Sequence, residues 1–128
     1  MAISYKVVSK KPGGMAGENT PRYYPMVTNR QSADLRAVCE MISERSTLHA
    51  ADVVGVVESL IDLVPELLLG GYSVKLDGLG VFSLHVSGVG RELPAHVTSR
   101  DITGVKVGFL PGKRVKTALS QAKFQKIG

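Results

Sequence analysis

The sequence predicts an α+β fold in which two helices precede a small sheet and a third helix follows it. Apolar residues recur at helical spacing between residues 32 and 69, and short alternating runs flank a glycine-rich joint at Gly78 and Gly80. At 128 residues the chain has the size of one ordinary domain, which can bury one core but not two.

The first helix is predicted from Ser32 to Arg45. Ser32 is expected to cap its amino end, and Asp34 complements the positive end of the helix dipole. The only cysteine, Cys39, lies on the apolar face, so we expect it to be packed rather than reactive, and a lone cysteine suits a reducing cytoplasm. That face comprises Leu35, Val38, Cys39 and Ile42.

The second predicted helix, from His49 to Leu69, is apolar on almost every side. Ser46 or Thr47 is expected to cap it, Pro65 to kink or break it, and Gly70-Gly71 to end it. One chain of this size cannot cover so much apolar surface, so a second copy related by a two-fold axis is the simplest partner. The predicted dimer interface comprises Val53, Val57, Leu60, Ile61, Val64, Leu68, Phe82 and Phe109.

The sheet is predicted from two short runs, Tyr72–Leu76 and Val81–Leu84, and from a returning strand through Val105, Val107 and Phe109. An excursion from Val86 to Thr103 separates the second and third strands. A third helix is predicted from Lys113 to about Ala122. A basic tail follows, in which Phe124 is expected to pack back onto the body.

Residues 1–29 are predicted to form a basic extension with two candidate strands, Ile3–Val8 and Arg22–Thr28. A loop rich in lysine, glycine and proline separates them from Lys10 to Thr20. Pro25 confines the second strand to a sheet edge or breaks it. Two arrangements remain open: the strands pair as a hairpin, or they extend the main sheet.

Positive and negative charges are unevenly distributed along the chain, and this distribution limits the classes of function that the protein can have. The net charge is +4 over residues 1–30, −5 over residues 31–84 and +6 over residues 85–128. This asymmetry suits a polyanion held on one side of the molecule, although a basic surface can also serve solubility alone. The chain shows no metal-ligand spacing around its histidines, no phosphate loop, no signal-peptide pattern and no apolar run of membrane-spanning length. We therefore expect no catalysis, metal ion, cofactor, small-molecule substrate or membrane association.

Two motifs resemble the bacterial histone-like DNA-binding proteins, HU and integration host factor. They are Gly78-Leu-Gly-Val-Phe82 and, after the long excursion, Phe109-Leu-Pro-Gly-Lys-Arg-Val-Lys116. The resemblance covers roughly Arg30 to Leu119, and the preceding residues are similar to those of extended HU-related proteins. It implies an HU-like domain over residues 30–128 that forms an intertwined homodimer. That dimer would have a helical base and a three-stranded antiparallel sheet with an arm, and it would hold double-stranded DNA in the cytoplasmic nucleoid.

The start of the third helix is the first predicted DNA contact. Free backbone N–H groups and a positive dipole end coincide there with Gly112, Lys113, Arg114 and Lys116, although an ordinary helix start with solvated lysines would look the same. The resemblance adds the turn at Gly80, which touches the DNA backbone in the family, and Lys75 beside it.

The arm supplies the remaining predicted contacts. Arg91, Arg100 and Lys106 would reach the minor groove or phosphates. Members of the resembled family insert apolar side chains between base pairs and kink DNA, which makes Leu93 and Pro94 the candidate wedge. This sequence lacks the family's Arg-Asn-Pro tip, which leaves a simple loop proline as the alternative.

The function predicted from these features is non-enzymatic compaction or bending of duplex DNA with little sequence preference. An HU-like protein-interaction or scaffold module with weak DNA binding is the alternative, because the arm tip is altered and the helical middle is acidic. RNA binding is a third reading. Duplex titrations at two salt concentrations would separate them.

Overall fold

The computed structural model of the chain describes residues 2–10 and 20–128, so most of the predicted loop from Lys10 to Thr20 lies outside the described residues. Two compact units are present. The terminal unit comprises Met1–Ala33 and Ala118–Gly128, and the central unit comprises Asp34–Thr117. In chain order the elements are β1 (Ile3–Lys10), β2 (Arg22–Val27), α1 (Leu35–Arg45), α2 (Ala50–Leu69), β3 (Val74–Leu76), β4 (Gly80–Gly88), β5 (Ile102–Pro111), α3 (Lys113–Leu119) and β6 (Phe124–Lys126).

The terminal unit is a three-stranded sheet with the order β2-β1-β6. The two predicted strands pair with each other, which selects the hairpin over an extension of the main sheet. β2 lies at the edge, as Pro25 predicts. Thr28 N donates to Ser4 O at 2.9 Å, so these two residues form a hydrogen-bonded pair. Along an antiparallel ladder, such pairs alternate with pairs that exchange no backbone hydrogen bond. Pro25 therefore falls opposite Val7 in a non-bonded pair, where its missing N–H costs no bond to β1.

β6 completes this sheet by pairing in parallel with β1, with Ile3 opposite Phe124. Ile3 N also donates to Lys123 O at 2.7 Å, and Ile127 N donates to Tyr5 O at 2.9 Å. The third helix ends at Leu119, before the predicted end near Ala122. The tail was expected only to pack back onto the body, and its residues Phe124–Lys126 form a strand.

α1 begins later than predicted and has a different cap. Asp34 is the N-cap, and its carboxylate accepts a hydrogen bond from Ala37 N at 2.9 Å, so the expectation that Ser32 caps the helix is wrong. Asp34 suits the position because it satisfies a free N–H and also places negative charge at the dipole's positive end.

α2 runs unbroken from Ala50 to Leu69, so Pro65 does not break it. His49 occupies the N-cap position without a side-chain cap bond, contrary to the expectation for Ser46 or Thr47. The Ser46 hydroxyl instead accepts from Leu48 N at 3.2 Å within the turn between the helices. The carboxyl end is closed as predicted: Gly71 has φ of 88°, its N–H donates to Leu68 O, and Tyr72 N donates to Leu67 O.

The central sheet has the order β3-β4-β5, with antiparallel pairing throughout. β4 and β5 form a hairpin longer than the predicted runs, because their pairing continues to Gly88 and Ile102. α2 packs against α1, β3 and β4. The apolar side chains buried among the described residues are Cys39, Val53, Leu68 and Val74, with Cys39 only 1% exposed as its packed role requires.

Candidate nucleic-acid interface

Strand register gives the central sheet two chemically different faces. Residues directly opposite each other share a face, and successive residues alternate between faces. The pairs Ser83–Gly108, His85–Lys106 and Ser87–Gly104 lie on the same side as Lys75, which is opposite Val81. We call this side the polar face. The other side, the apolar face, carries Val74, Phe82, Leu84, Val86, Val105, Val107 and Phe109.

Two glycines of β5 let side chains of β4 lie across the polar face. A Cβ atom on Gly108 would stand 2.7 Å from His85 Nε2, and one on Gly104 would stand 2.9 Å from Ser87 Oγ. No side chain longer than hydrogen fits at either position without displacing its neighbour. These two glycines therefore leave room above β5 for the side chains of β4. On this face His85 lies beside Lys106. The sequence did not single out His85, since its neighbours become visible only once the β4–β5 register is known.

The turn between β3 and β4 brings several predicted DNA contacts together. Lys75, Gly80, Gly112 and Lys113 line one small cavity of about 180 Å³, together with Leu76, Asp77, Gly78 and Val81. Leu79 N donates to Leu76 O and Gly112 N donates to Leu79 O, each at 2.9 Å, so the turn is tied to the start of α3.

Glycine is required in this turn for two reasons. Gly80 has φ of 153° and a Cβ there would stand 2.8 Å from the Phe109 ring. Gly78 has φ of 92°, and the Arg114 side chain packs over it, with Cδ 3.3 Å from the position of an added Cβ. Arg114 therefore joins Lys75 and Lys113 around the turn, and we call these three residues the turn cluster.

α3 is shorter than predicted, with seven residues from Lys113 to Leu119. A helix of this length has only a small dipole, so the charge at its start comes mainly from side chains. Lys116 is exposed on this helix, and its N–H donates to Gly112 O at 3.0 Å. It extends the basic surface beyond the turn cluster.

Residues 89–101, which we call the tip, join β4 to β5 as a folded loop rather than as a continuation of the two strands. It contains two 3-10 turns, Pro94–His96 and Ser99–Asp101. Val89 N donates to Asp101 O at 2.9 Å and closes its base. Leu93, Pro94 and Arg100 are exposed on this loop.

An ion pair locks the tip. Arg91 donates from Nε and Nη2 to Asp101 Oδ1 at 3.0 and 2.6 Å, and Thr98 N donates to Asp101 Oδ2 at 3.0 Å. Asp101 is only 6% exposed. The Arg91 guanidinium, and next the Thr98 N–H, lower the pKa of the Asp101 carboxyl below its ordinary value of 3.8, against the opposing effect of burial. Arg91, predicted to reach DNA, is therefore engaged within its own loop.

The predicted dimer interface is partly internal and partly uncovered. Val53 and Leu68 are buried within this chain, while Val57, Val64 and Phe82 are half-buried. Leu60 is exposed, as are Ile61 at 50% and Phe109 at 46%. The Phe82 and Phe109 rings pack with centroids 4.8 Å apart. An uncovered apolar surface thus extends over α2 and the apolar face of the sheet.

Within residues 2–10 and 20–128, no three potential ligands among His, Cys, Asp and Glu are grouped to hold a metal ion. No helix in the same ranges is long and apolar enough to cross a membrane.

Residues 1–126 match the family model described as "HU-HIG: HU domain fused to wHTH, Ig, or Glycine-rich motif". The chain belongs to this HU-HIG family. The match includes residues 1–29.

Individual relatives agree with that membership. The integration host factor subunit alpha of Caulobacter vibrioides strain NA1000 / CB15N is 34% identical over 88 residues, which cover 64% of this chain and 88% of the relative. The same subunit from Caulobacter sp. strain K31 is also 34% identical over 88 residues, with the same coverage.

A solved structure shares the fold. It is a Bacteroides vulgatus ATCC 8482 protein described as a "Putative bacterial DNA binding protein", with a TM-score of 0.70 and 15% identity over 99% of this chain. This HU-HIG chain spans about half the length of that protein, 49%.

Proposed function

We propose that this HU-HIG protein binds duplex DNA as a homodimer and acts, without enzymatic activity, as an architectural protein of the nucleoid. The observation that carries the proposal is the turn cluster of Lys75, Lys113 and Arg114. It adjoins the polar face, because Lys75 and Val81 of that face line the same cavity as Lys113. Cations in such an arrangement are suited to phosphates, which dominate the affinity of proteins for DNA.

The polar face has the dimensions and chemistry for a DNA backbone. From Val81 to Ser87 the strand rises about 20 Å, which corresponds to about six base pairs at 3.4 Å each. Beyond Val81 and Leu110 at one end, its side chains are small or basic, and the register places Lys106 and His85 at its middle. Arg100 at the tip and Lys116 on α3 are further candidates for phosphate contacts.

Sequence preference should be weak. The β4–β5 pairs that form the polar face contain no Arg, Asn or Gln, and Lys106 is the one side chain among them that could read a guanine edge bidentately. Affinity should then depend on phosphate contacts and on how easily a given duplex deforms. Leu93 and Pro94, exposed on the tip, are the candidates for a wedge that bends DNA.

The homodimer is supported by the uncovered apolar surface. Leu60, Ile61 and Phe109 are exposed in the single chain, and a second copy would bury them with two-fold symmetry. The relatives named integration host factor subunit alpha support DNA as the partner. The scaffold alternative rests only on the altered arm tip and the acidic helical middle.

Duplex titration by fluorescence anisotropy at several salt concentrations tests the proposal. Lys113→Gln with Arg114→Gln should weaken binding to every duplex sequence, and the log–log salt slope should fall by about 0.9 for each phosphate contact removed. The matched control, Arg36→Gln with Arg45→Gln on α1, removes the same charge away from the turn cluster and should change binding much less. Equal effects of the two double variants would contradict the site, and no duplex binding by the wild type would contradict the function.

A further inference from the structure

Positive charge is divided unequally between the two units. The described residues of the terminal unit include Lys6, Lys10, Arg22, Arg30, Lys123 and Lys126, and no Asp or Glu. Residues 11–19 add one base and one acid, which cancel. The central unit, which carries the turn cluster and the polar face, has nine bases and ten acids. The excess positive charge of the chain therefore belongs to the terminal unit, while the central unit has a net charge of −1.

The register of β1 and β2 sorts the terminal sheet into an apolar and a cationic face. Tyr5 pairs with Val27 and Val7 with Pro25, and these residues share their face with Ile3 and Phe124. Tyr5, Pro25, Val27 and Phe124, with Met26, line an apolar cavity of about 410 Å³. The opposite face carries the pairs Lys6–Met26, Val8–Tyr24 and Lys10–Arg22. Lys6, Lys10, Arg22, Tyr24 and Met26 are all exposed there, and we call it the cationic face.

We infer that the cationic face is a second DNA-binding surface. It contacts the phosphate backbone of duplex DNA, and the turn cluster provides the first such surface. This inference rests on the proposed function. Lys6 and Lys10 stand about 13 Å apart along one strand, which matches about four phosphates along a DNA strand at 3.4 Å of axis each. Arg22, directly opposite Lys10, widens the row across two strands.

Charge complementarity is the physical reason for choosing DNA as the occupant. A duplex carries one negative charge per about 1.7 Å of its axis, and basic side chains release its condensed counterions. The acidic residues of the central unit repel that field, so long-range attraction must come chiefly from the terminal unit. The terminal unit thus adds long-range attraction and salt-dependent affinity to the phosphate contacts of the turn cluster, while the polar face and tip fit the groove and backbone.

Full-length Lys6→Gln with Lys10→Gln tests the inference. The expected result is a log–log salt slope for duplex binding that falls by about 1.8 per chain, which is about 0.9 for each lost contact. The matched control is Lys126→Gln with Arg45→Gln. Lys126 pairs with Tyr5 on the apolar face of the same sheet, and Arg45 ends α1, so this variant removes equal charge elsewhere. Lys6→Arg with Lys10→Arg should restore the wild-type slope. Circular dichroism should show unchanged folding, since both lysines are exposed.

The outcomes separate this inference from the proposed function. If Lys6→Gln with Lys10→Gln leaves the slope unchanged while the turn-cluster variant lowers it, the second surface is wrong and the proposed function stands. If the control lowers the slope equally, net charge and not the cationic face is responsible, and the inference is again wrong. Tighter binding to single strands than to duplex, lost in Tyr24→Ala, would overturn the choice of duplex DNA as occupant.

Discussion

Ile61 offers the sharpest test of the homodimer, because half of its side chain is uncovered in the single chain. Burying an isoleucine completely contributes about 1.5 to 3 kcal/mol, so the uncovered half is worth about 1 kcal/mol when a partner covers it. Two-fold symmetry buries the residue twice. Ile61→Ala should therefore weaken the dimer by about 2 kcal/mol, which is about a 30-fold higher dissociation constant.

Sedimentation equilibrium over a dilution series measures that constant directly. Val97→Ala is the matched control, because Val97 is similarly exposed at 56% but lies on the tip, away from α2. It should leave the constant unchanged. Ile61→Asp or Leu60→Asp would place two unpaired carboxylates in the interface at several kcal/mol each and should give monomers.

Two results would refute the reasoning. One is a wild-type protein that remains a folded monomer at micromolar concentration, since the exposed apolar surface would then need another explanation. The other is a stable dimer whose dissociation constant stays at the wild-type value in both Ile61→Ala and Ile61→Asp. That result would place the interface away from this part of α2.

Two further predictions concern the tip. The pKa of Asp101 is lowered below its ordinary 3.8, so its ion pair stabilises the loop fully above about pH 3.8 and loses this effect as the pH falls through the lower folded-state pKa. The NMR shift of the Arg91 Nε–H should therefore titrate below pH 3.8 in the wild type and stay constant in Asp101→Asn, and a pH-independent wild-type shift would disprove the lock. If Pro94 is a wedge, Pro94→Ala should reduce the DNA bend angle measured by FRET. It should also weaken binding to intact duplex more than to nicked duplex, because a nick already relieves part of an unstacking cost of about a few kcal/mol. Unchanged affinities for both duplexes and an unchanged bend would show that the protein binds DNA without intercalating.

The local patterns of the sequence were sufficient for much of the central unit. Helical spacing located α1 and α2, and the glycine pair after Leu69 ended α2 by the expected backbone bonds. The glycines at 78 and 80 predicted the turn, since their positive φ values exclude most other residues. Cap positions were less predictable, because several adjacent polar residues compete for the same free N–H groups and the geometry of the turn decides among them.

Tertiary structure decided the features that join distant parts of the chain. β6 pairs with β1 although more than a hundred residues separate them in the sequence. The three residues of β6 are too short a run to show a strand pattern by themselves. The sequence predicted Arg91 as a DNA contact, but the folded tip brings its Nη2 within 3 Å of Asp101 Oδ1. The alternation of each strand was readable from the sequence, but which strands share a face depends on register. That register is set by pairings between residues far apart, and so the polar face and the cationic face emerged only from the folded chain.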